Sequence, residues 1–218
     1  MSEDRAKNIK LIIFDVDGVM TDGTIFLFPA PGGASAHPTA DHRERMADKG
    51  GFGISSTTML EAKGFNAHDG TGFSLMRLGG IKAAIITKRI SETVALRARD
   101  LKIEHVYQGQ QDKAAAFYEI LAKENLTAEQ VAYVGDDIID LPVMRNCGLA
   151  IAVGDARERV KAEAHYITQN RGGHGAARDA VEFILQAKGV LDKCIDSYID
   201  EDNPIPPSMD IGKGGDLK

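Results

Sequence analysis

Residues 9–19 read Ile-Lys-Leu-Ile-Ile-Phe-Asp-Val-Asp-Gly-Val, a short apolar run that stops at Asp15, Asp17 and Gly18. Apolar runs of this length, rich in Ile and Val, are read as strands of a fully buried sheet. Three others share the character, at Ile81 to Ile86, Val131 to Val134 and Leu149 to Val153, with a weaker one at Glu104 to Tyr107. Helical patterns fall between them. Ser91 is placed to cap a helix through Leu101, with Val94, Leu96 and Leu101 on its buried face. Asp112 is placed to cap another through Lys123, burying Ala115, Phe117, Ile120 and Leu121. Thr127 and Gln130 form a capping-box pattern, and Gly175 to Lys188 reads as a final amphipathic helix. Strands alternating with helices predict the α/β class, a parallel sheet sandwiched by helices.

In an open sheet of this kind, ligands bind beyond the carboxyl ends of the strands. Asp15 and Asp17 lie there, and two carboxylates so close together repel unless a cation sits between them. A hard divalent metal with oxygen ligands fits such a pair, although a DxDG stretch also suits a solvated turn. Thr87 ends the second strand in a hydroxyl able to bind a phosphoryl oxygen or to cap a helix. Lys113, at a helix start, offers either a site cation or a solvated surface lysine. Tyr133-Val-Gly-Asp136-Asp137-Ile-Ile-Asp140 ends the third strand in three carboxylates. Helix capping accounts comfortably for one of these and poorly for three.

In this order, DxD, Thr, Lys and GDDxxD resemble the four motifs of the haloacid dehalogenase superfamily, across roughly residues 9–190. The resemblance implies a Rossmann-like domain and a magnesium-dependent phosphatase. In it Asp15 is the nucleophile, Asp17 the general acid/base, and Thr87 and Lys113 bind the transferring phosphoryl group. It also implies a magnesium ion held by the Asp15 side chain, the Asp17 main-chain carbonyl and Asp136. Asp137 and Asp140 would orient metal waters or Lys113 from behind. No large cap insertion follows the DxD or separates Thr87 from Lys113. Instead there is a hairpin-like flap. Asp15-Val-Asp-Gly-Val-Met-Thr-Asp-Gly23, His68-Asp-Gly-Thr-Gly72, Tyr107-Gln-Gly-Gln110, Ala132 to Met144, Gly172-Gly-His-Gly-Ala176 and Arg178 are similar to the capless octulosonate 8-phosphate phosphatases.

That branch implies hydrolysis of 3-deoxy-D-manno-octulosonate 8-phosphate, a precursor of the lipopolysaccharide inner core. It also implies a homotetramer in which a neighbour's hairpin and tail cover each site. The substrate carries a carboxylate, so a further cation is needed. Arg89 and Arg97 are the candidates, with His68, Gly18 and Lys88 as further substrate-binding positions. A sibling branch acting on a nonulosonate 9-phosphate carries Glu where Arg89 stands, and is the alternative. A non-catalytic oligomeric homologue is a third reading, opposed by the complete motif set. Lys88, His68 and His174 depart from the branch, which has Gly, Arg and Arg there.

The 24–65 segment begins strand-like at Thr24 to Phe28, continues rich in Pro, Gly and charge, and can return at Ser56 to Leu60 as an elongated β-hairpin. His37, Asp41 and His42 within it suggest a second metal less than they suggest a solvated loop. One domain, 1–199, is expected to carry this flap, with residues 200–218 as a disordered or loosely docked tail. With 218 residues, 43% hydrophobic and 27% charged, the chain is long enough for one well-packed core. Its net charge of -6 argues against nucleic acid as a partner. It does not argue against a small anionic substrate in a locally basic pocket. Cys147 and Cys194 form no CxxC, and no long apolar run or signal-peptide core is present, so a cytoplasmic protein without membrane association is expected.

Overall fold

The protein is described by a computed structural model over residues 2–29 and 59–210. Six parallel strands form the sheet: β1 Leu11–Phe14, β4 Lys82–Ile86, β5 His105–Tyr107, β6 Val131–Gly135, β7 Leu149–Ala152 and β8 Tyr166–Ile167, in the order β5-β4-β1-β6-β7-β8. Every residue of β1, β6 and β7 is buried, as expected of strands covered on both faces. Phe14 is in register with Ile85 on one side and Val134 on the other, so the residues that follow emerge side by side at one edge. The four strong strands lie where the sequence places them, three of them shortened at one end and β6 extended by Gly135. β8, only two residues long, carries too little pattern to be read from the sequence.

The helices are α1 Ser2–Lys7, α2 Ala67–Leu78, α3 Glu92–Asp100, α4 Lys113–Glu124, α5 Leu141–Met144, α6 Glu158–Lys161, α7 Ala176–Ala187 and α8 Leu191–Ile199. In α3, Val94 and Ala98 are buried and continue to Leu101, while Leu96 is 47% exposed, contrary to the expected face. In α4, the Asp112 carboxylate accepts from the Ala115 N–H at 3.1 Å, and Asn125 closes the helix in the left-handed region at φ 52. Its buried residues are Lys113, Ala116, Phe117 and Ile120, an i, i+3, i+4, i+7 face. Ala115, expected inside, is exposed. The stripe therefore begins at Lys113 itself, and its geometry turns that lysine inward.

The sequence reading left α2 out because Gly70 and Gly72 weaken the helical signal. Packing explains Gly72: a Cβ there would lie 3.1 Å from the Arg178 Cα of α7. Two further strands, β2 Phe26–Pro29 and β3 Met59–Ala62, pair antiparallel as a hairpin, with Phe26 opposite Ala62 and Pro29 opposite Met59. The return strand runs on to Ala62, two residues past the expected Leu60, and its expected start at Ser56 lies outside the described residues. The intervening residues, with His37, Asp41 and His42, lie outside the described residues.

The tail turns back on the body as far as Asp210. Arg77 donates to the Met209 carbonyl at 3.1 Å, and Lys102 bonds to the Pro207 and Asp210 carbonyls. Asp210 is buried, with Ser74 Oγ and Tyr198 Oη each 3.4 Å from its carboxylate. These contacts lie near the C-terminal ends of α2 and α3, which lead into the starts of β4 and β5. That is the edge of the sheet opposite the loop bearing Asp15.

Candidate active site

Asp15 leaves β1 with its N–H donating to the Val134 carbonyl at 3.0 Å, which fixes the loop to the adjacent strand. Its Oδ1 accepts from the Val16 N–H at 2.7 Å, and its Oδ2 lies 2.8 Å from Lys113 Nζ. The same ammonium lies 2.7 Å from Asp140 Oδ1. Asp140 is fully buried and saturated. Its Oδ1 also accepts from Tyr133 Oη at 2.7 Å, and its Oδ2 accepts from the N–H groups of Asp136 and Asp137 at 3.0 and 3.2 Å. Asp140 thus orients both Lys113 and the turn that presents Asp136. The Asp137 carboxylate accepts from the Ile138 N–H at 2.7 Å and shapes the same turn.

The electrostatics of this cluster call for a cation. Asp15, Asp136 and Asp140 offer oxygens within 4.8 Å of one another, three carboxylates against the single Lys113 ammonium. Burial pushes the Asp15 carboxyl well above the ordinary range, opposed by Lys113 and assisted by Asp140. Burial also pushes Asp136 up to about 8, with Asp15 and Asp140 adding to the shift. For Lys113, burial disfavours the charge, but its two carboxylate partners outweigh that and keep it ionised. Asp136 Oδ1 is buried and has no hydrogen-bond partner among the described residues. An orphaned carboxylate oxygen beside an excess of negative charge fits a hard divalent metal.

Gly18 borders this position from the other side. Its φ is +88°, and a Cβ there would stand 2.2 Å from Asp136 Oδ2. Only glycine lets the loop pass that carboxylate. The structure thus gives Gly18 a packing reason of its own, beside the substrate contact expected from the sequence.

Asp15, Asp17, Thr87, Lys88, Arg89, Asp136, Asp137 and Ile139 line one cleft of about 180 Å³. Two other expected substrate contacts are not brought to it. Arg97 bonds to Asp100 and stands 5.7 Å from the Phe65 ring centroid, tying α3 to the start of α2. His68 is exposed in the first turn of α2, where its N–H is capped by Asn66 at 2.8 Å. His174 is exposed too, beside Arg171 and the Gly172 carbonyl. Arg89 reaches the cleft but is already engaged, 2.8 Å from Glu61 Oε2 and 3.6 Å from Asp17 Oδ2.

Three residues were missed by the sequence reading. Tyr133 supplies the buried hydroxyl on Asp140, and its signal is a lone hydroxyl in an otherwise apolar strand. Lys63 bonds to Asp17, and Glu61 pairs with Arg89. Their signal is opposite charges two residues apart, Glu61 within the returning strand and Lys63 just after it.

Residues 81–178 match the family model of the haloacid dehalogenase-like hydrolases. The chain is also 41% identical over 188 residues to a curated relative from Yersinia pestis, 86% of each chain, so it belongs to this family of hydrolases. That relative is the 3-deoxy-D-manno-octulosonate 8-phosphate phosphatase of its organism. The Escherichia coli K12 phosphatase of the same name is 39% identical over 189 residues, 87% of this chain and 86% of its own. Among solved structures, the Moraxella catarrhalis phosphatase, in complex with magnesium, phosphate and KDO, superposes with a TM-score of 0.74 at 34% identity, covering 90% of this chain and 97% of that one. The Yersinia pestis crystal structure gives 0.72 at 39% identity and 88% of each chain.

Proposed function

We propose that the chain hydrolyses 3-deoxy-D-manno-octulosonate 8-phosphate to the sugar acid and phosphate, with magnesium. The observation that carries the chemistry is the Asp15 carboxylate, held by Lys113 at 2.8 Å in the cleft that Asp136 also lines. The substrate follows from the similarity to the octulosonate phosphatases.

Asp15 attacks phosphorus, the ester P–O bond breaks, and Asp17 gives a proton to the departing sugar oxygen. Asp17 then takes a proton from the water that releases phosphate from the aspartyl-phosphate. Thr87 and Lys113 bind phosphoryl oxygens and offset charge on the moving group. The carboxylates of Asp15 and Asp136 and the main-chain carbonyl of Asp17 would hold the magnesium, which would supply Lewis-acid neutralisation of charge on the phosphoryl group. Lys88 and Arg89, which line the cleft, would meet the substrate's own carboxylate.

A cleft of about 180 Å³ is smaller than those that enclose a whole drug-sized ligand, which run from roughly 300 Å³ upward. Neighbouring copies would complete it. The hairpin exposes Phe26, Leu27 and Phe28 at 46%, 47% and 51%, an apolar ribbon suited to a homotetramer of this chain. In the tetramer proposed here, a neighbour's hairpin and tail would cover each site. No helix among the described residues is long and apolar enough to cross a membrane. The unpaired, buried Cys147 and Cys194 fit the reducing cytoplasm we propose as its compartment.

A phosphate-release screen over sugar phosphates with magnesium tests the function, with octulosonate 8-phosphate expected to be preferred. Preference for a nonulosonate 9-phosphate would overturn the substrate. Turnover of no ester would leave the non-catalytic reading.

A further inference from the structure

The hairpin does more in this structure than flank the cleft. Lys63 follows directly on β3, and its side chain is fully buried although lysine is among the residues least often buried. Its ammonium bonds to Asp17 Oδ1 and lies 3.8 Å from Glu61 Oε1. Glu61 Oε2 accepts from Arg89 Nη2 at 2.8 Å, and Arg89 Nε stands 3.6 Å from Asp17 Oδ2. Asp17, Lys63, Glu61 and Arg89 thus close a ring in which acidic and basic side chains alternate. The Glu61 carbonyl also accepts from Thr93 Oγ1 at 3.4 Å, pinning the return strand to α3.

We propose that Lys63 is the positioning residue for Asp17, so that seating the hairpin's return strand completes the acid/base of the active site. Asp17 sits in a loop with its side chain 23% exposed, where a carboxylate can swing between rotamers. Lys63 supplies the fixed end of the pair, since a buried ammonium cannot exchange its partner for water. Arg89 is the looser contact and lines the cleft, so it can turn to a bound anion while Lys63 keeps Asp17 in place. The inference rests on the phosphatase reading above.

The step Lys63 serves is leaving-group departure. The Asp15–phosphorus bond forms, the ester P–O bond breaks with its electron pair on the leaving oxygen, and that oxygen takes the Asp17 proton. An alkoxide needs this proton, whereas p-nitrophenolate leaves without it. The test is first-turnover release of the leaving group from an alkyl sugar phosphate and from p-nitrophenyl phosphate, with magnesium, in Lys63→Met and Lys63→Arg. Lys63→Met should slow the alkyl ester by about a hundredfold or more, the scale of general-acid catalysis, and the aryl ester by less than about tenfold. Lys63→Arg should recover most of the difference. A crystal structure of Lys63→Met should show the Asp17 carboxylate displaced with the Asp15–Lys113 contact kept.

Retained p-nitrophenol release serves as the control for folding. Equal loss on both esters, or no loss on either, would overturn the inference alone. Wild-type enzyme releasing neither leaving group would overturn the phosphatase reading and the inference with it.

Discussion

The Lys113 ammonium stands 2.7 Å from the Asp140 carboxylate, with both side chains buried at the foot of the cleft. The contact exists because Lys113 heads the inward face of α4, continued by Ala116, Phe117 and Ile120, while Asp140 is held by Tyr133 and two backbone N–H groups. A buried ammonium serving two carboxylates cannot be removed cheaply. Lys113→Met should destabilise the protein by about 3–5 kcal/mol, the cost of leaving buried charge unpaired. It should also lower turnover by about two to three orders of magnitude. Denaturant unfolding and phosphate release check the two parts separately.

Asp15→Asn has the opposite profile. It removes the attacking carboxylate but also relieves one of three negative charges clustered around a single ammonium. Phosphate release should fall to background while the thermal midpoint in chelator stays at or above that of the parent. Magnesium should raise the midpoint of the variant less than that of the parent, because one ligand oxygen has become an amide. Near-normal turnover would remove Asp15 from its role.

Gly18→Ala tests the close approach to Asp136. The added methyl would meet Asp136 Oδ2 at 2.2 Å, in a backbone conformation that side chains rarely adopt. The strain should cost about 1–3 kcal/mol. Displacement of Asp136 should raise the magnesium concentration needed for half-maximal turnover. A magnesium titration of activity measures this, and an unchanged midpoint would show that the loop yields instead of the carboxylate.

These residues also show what could be read from the chain before its structure. Strands β1, β4, β6 and β7 were legible because each is a short, mostly apolar run, and Asp15, Thr87 and Asp136 follow from their ends. The inward turn of Lys113 was not. The expected stripe through Ala115 differs from the actual one by only one position, and choosing between them needs the packing partner. Gly70 and Gly72 hid α2, since close approach to α7 overrides helical propensity there. Lys63 and Glu61 were unread because their partners lie 46 and 28 residues away, at distances no local pattern spans. Arg97 was assigned to the substrate by residue type alone, and the structure sends it to Asp100 and Phe65.

Asp69 makes the fold's stability depend on pH. It is buried in the first turn of α2, where Oδ1 accepts from the Arg178 N–H at 3.0 Å and Oδ2 has no hydrogen-bond partner among the described residues. Burial pushes its carboxyl up to about 6, well above the ordinary aspartate range. That N–H and the charges of Arg97 and His68 oppose the shift, while Asp179 adds to it. The folded state therefore holds a proton that the unfolded chain has already lost between about pH 4 and pH 6. Stability from this group is complete below that window and falls as pH rises through it, by about 3 kcal/mol in all. Asp69→Asn removes the titration while keeping an acceptor for the Arg178 N–H. The difference in unfolding free energy, variant minus parent, should rise across the window and level off above pH 6. Denaturant unfolding at a series of pH values measures it, and a flat difference would mean that Asp69 titrates alike in the folded and unfolded chain.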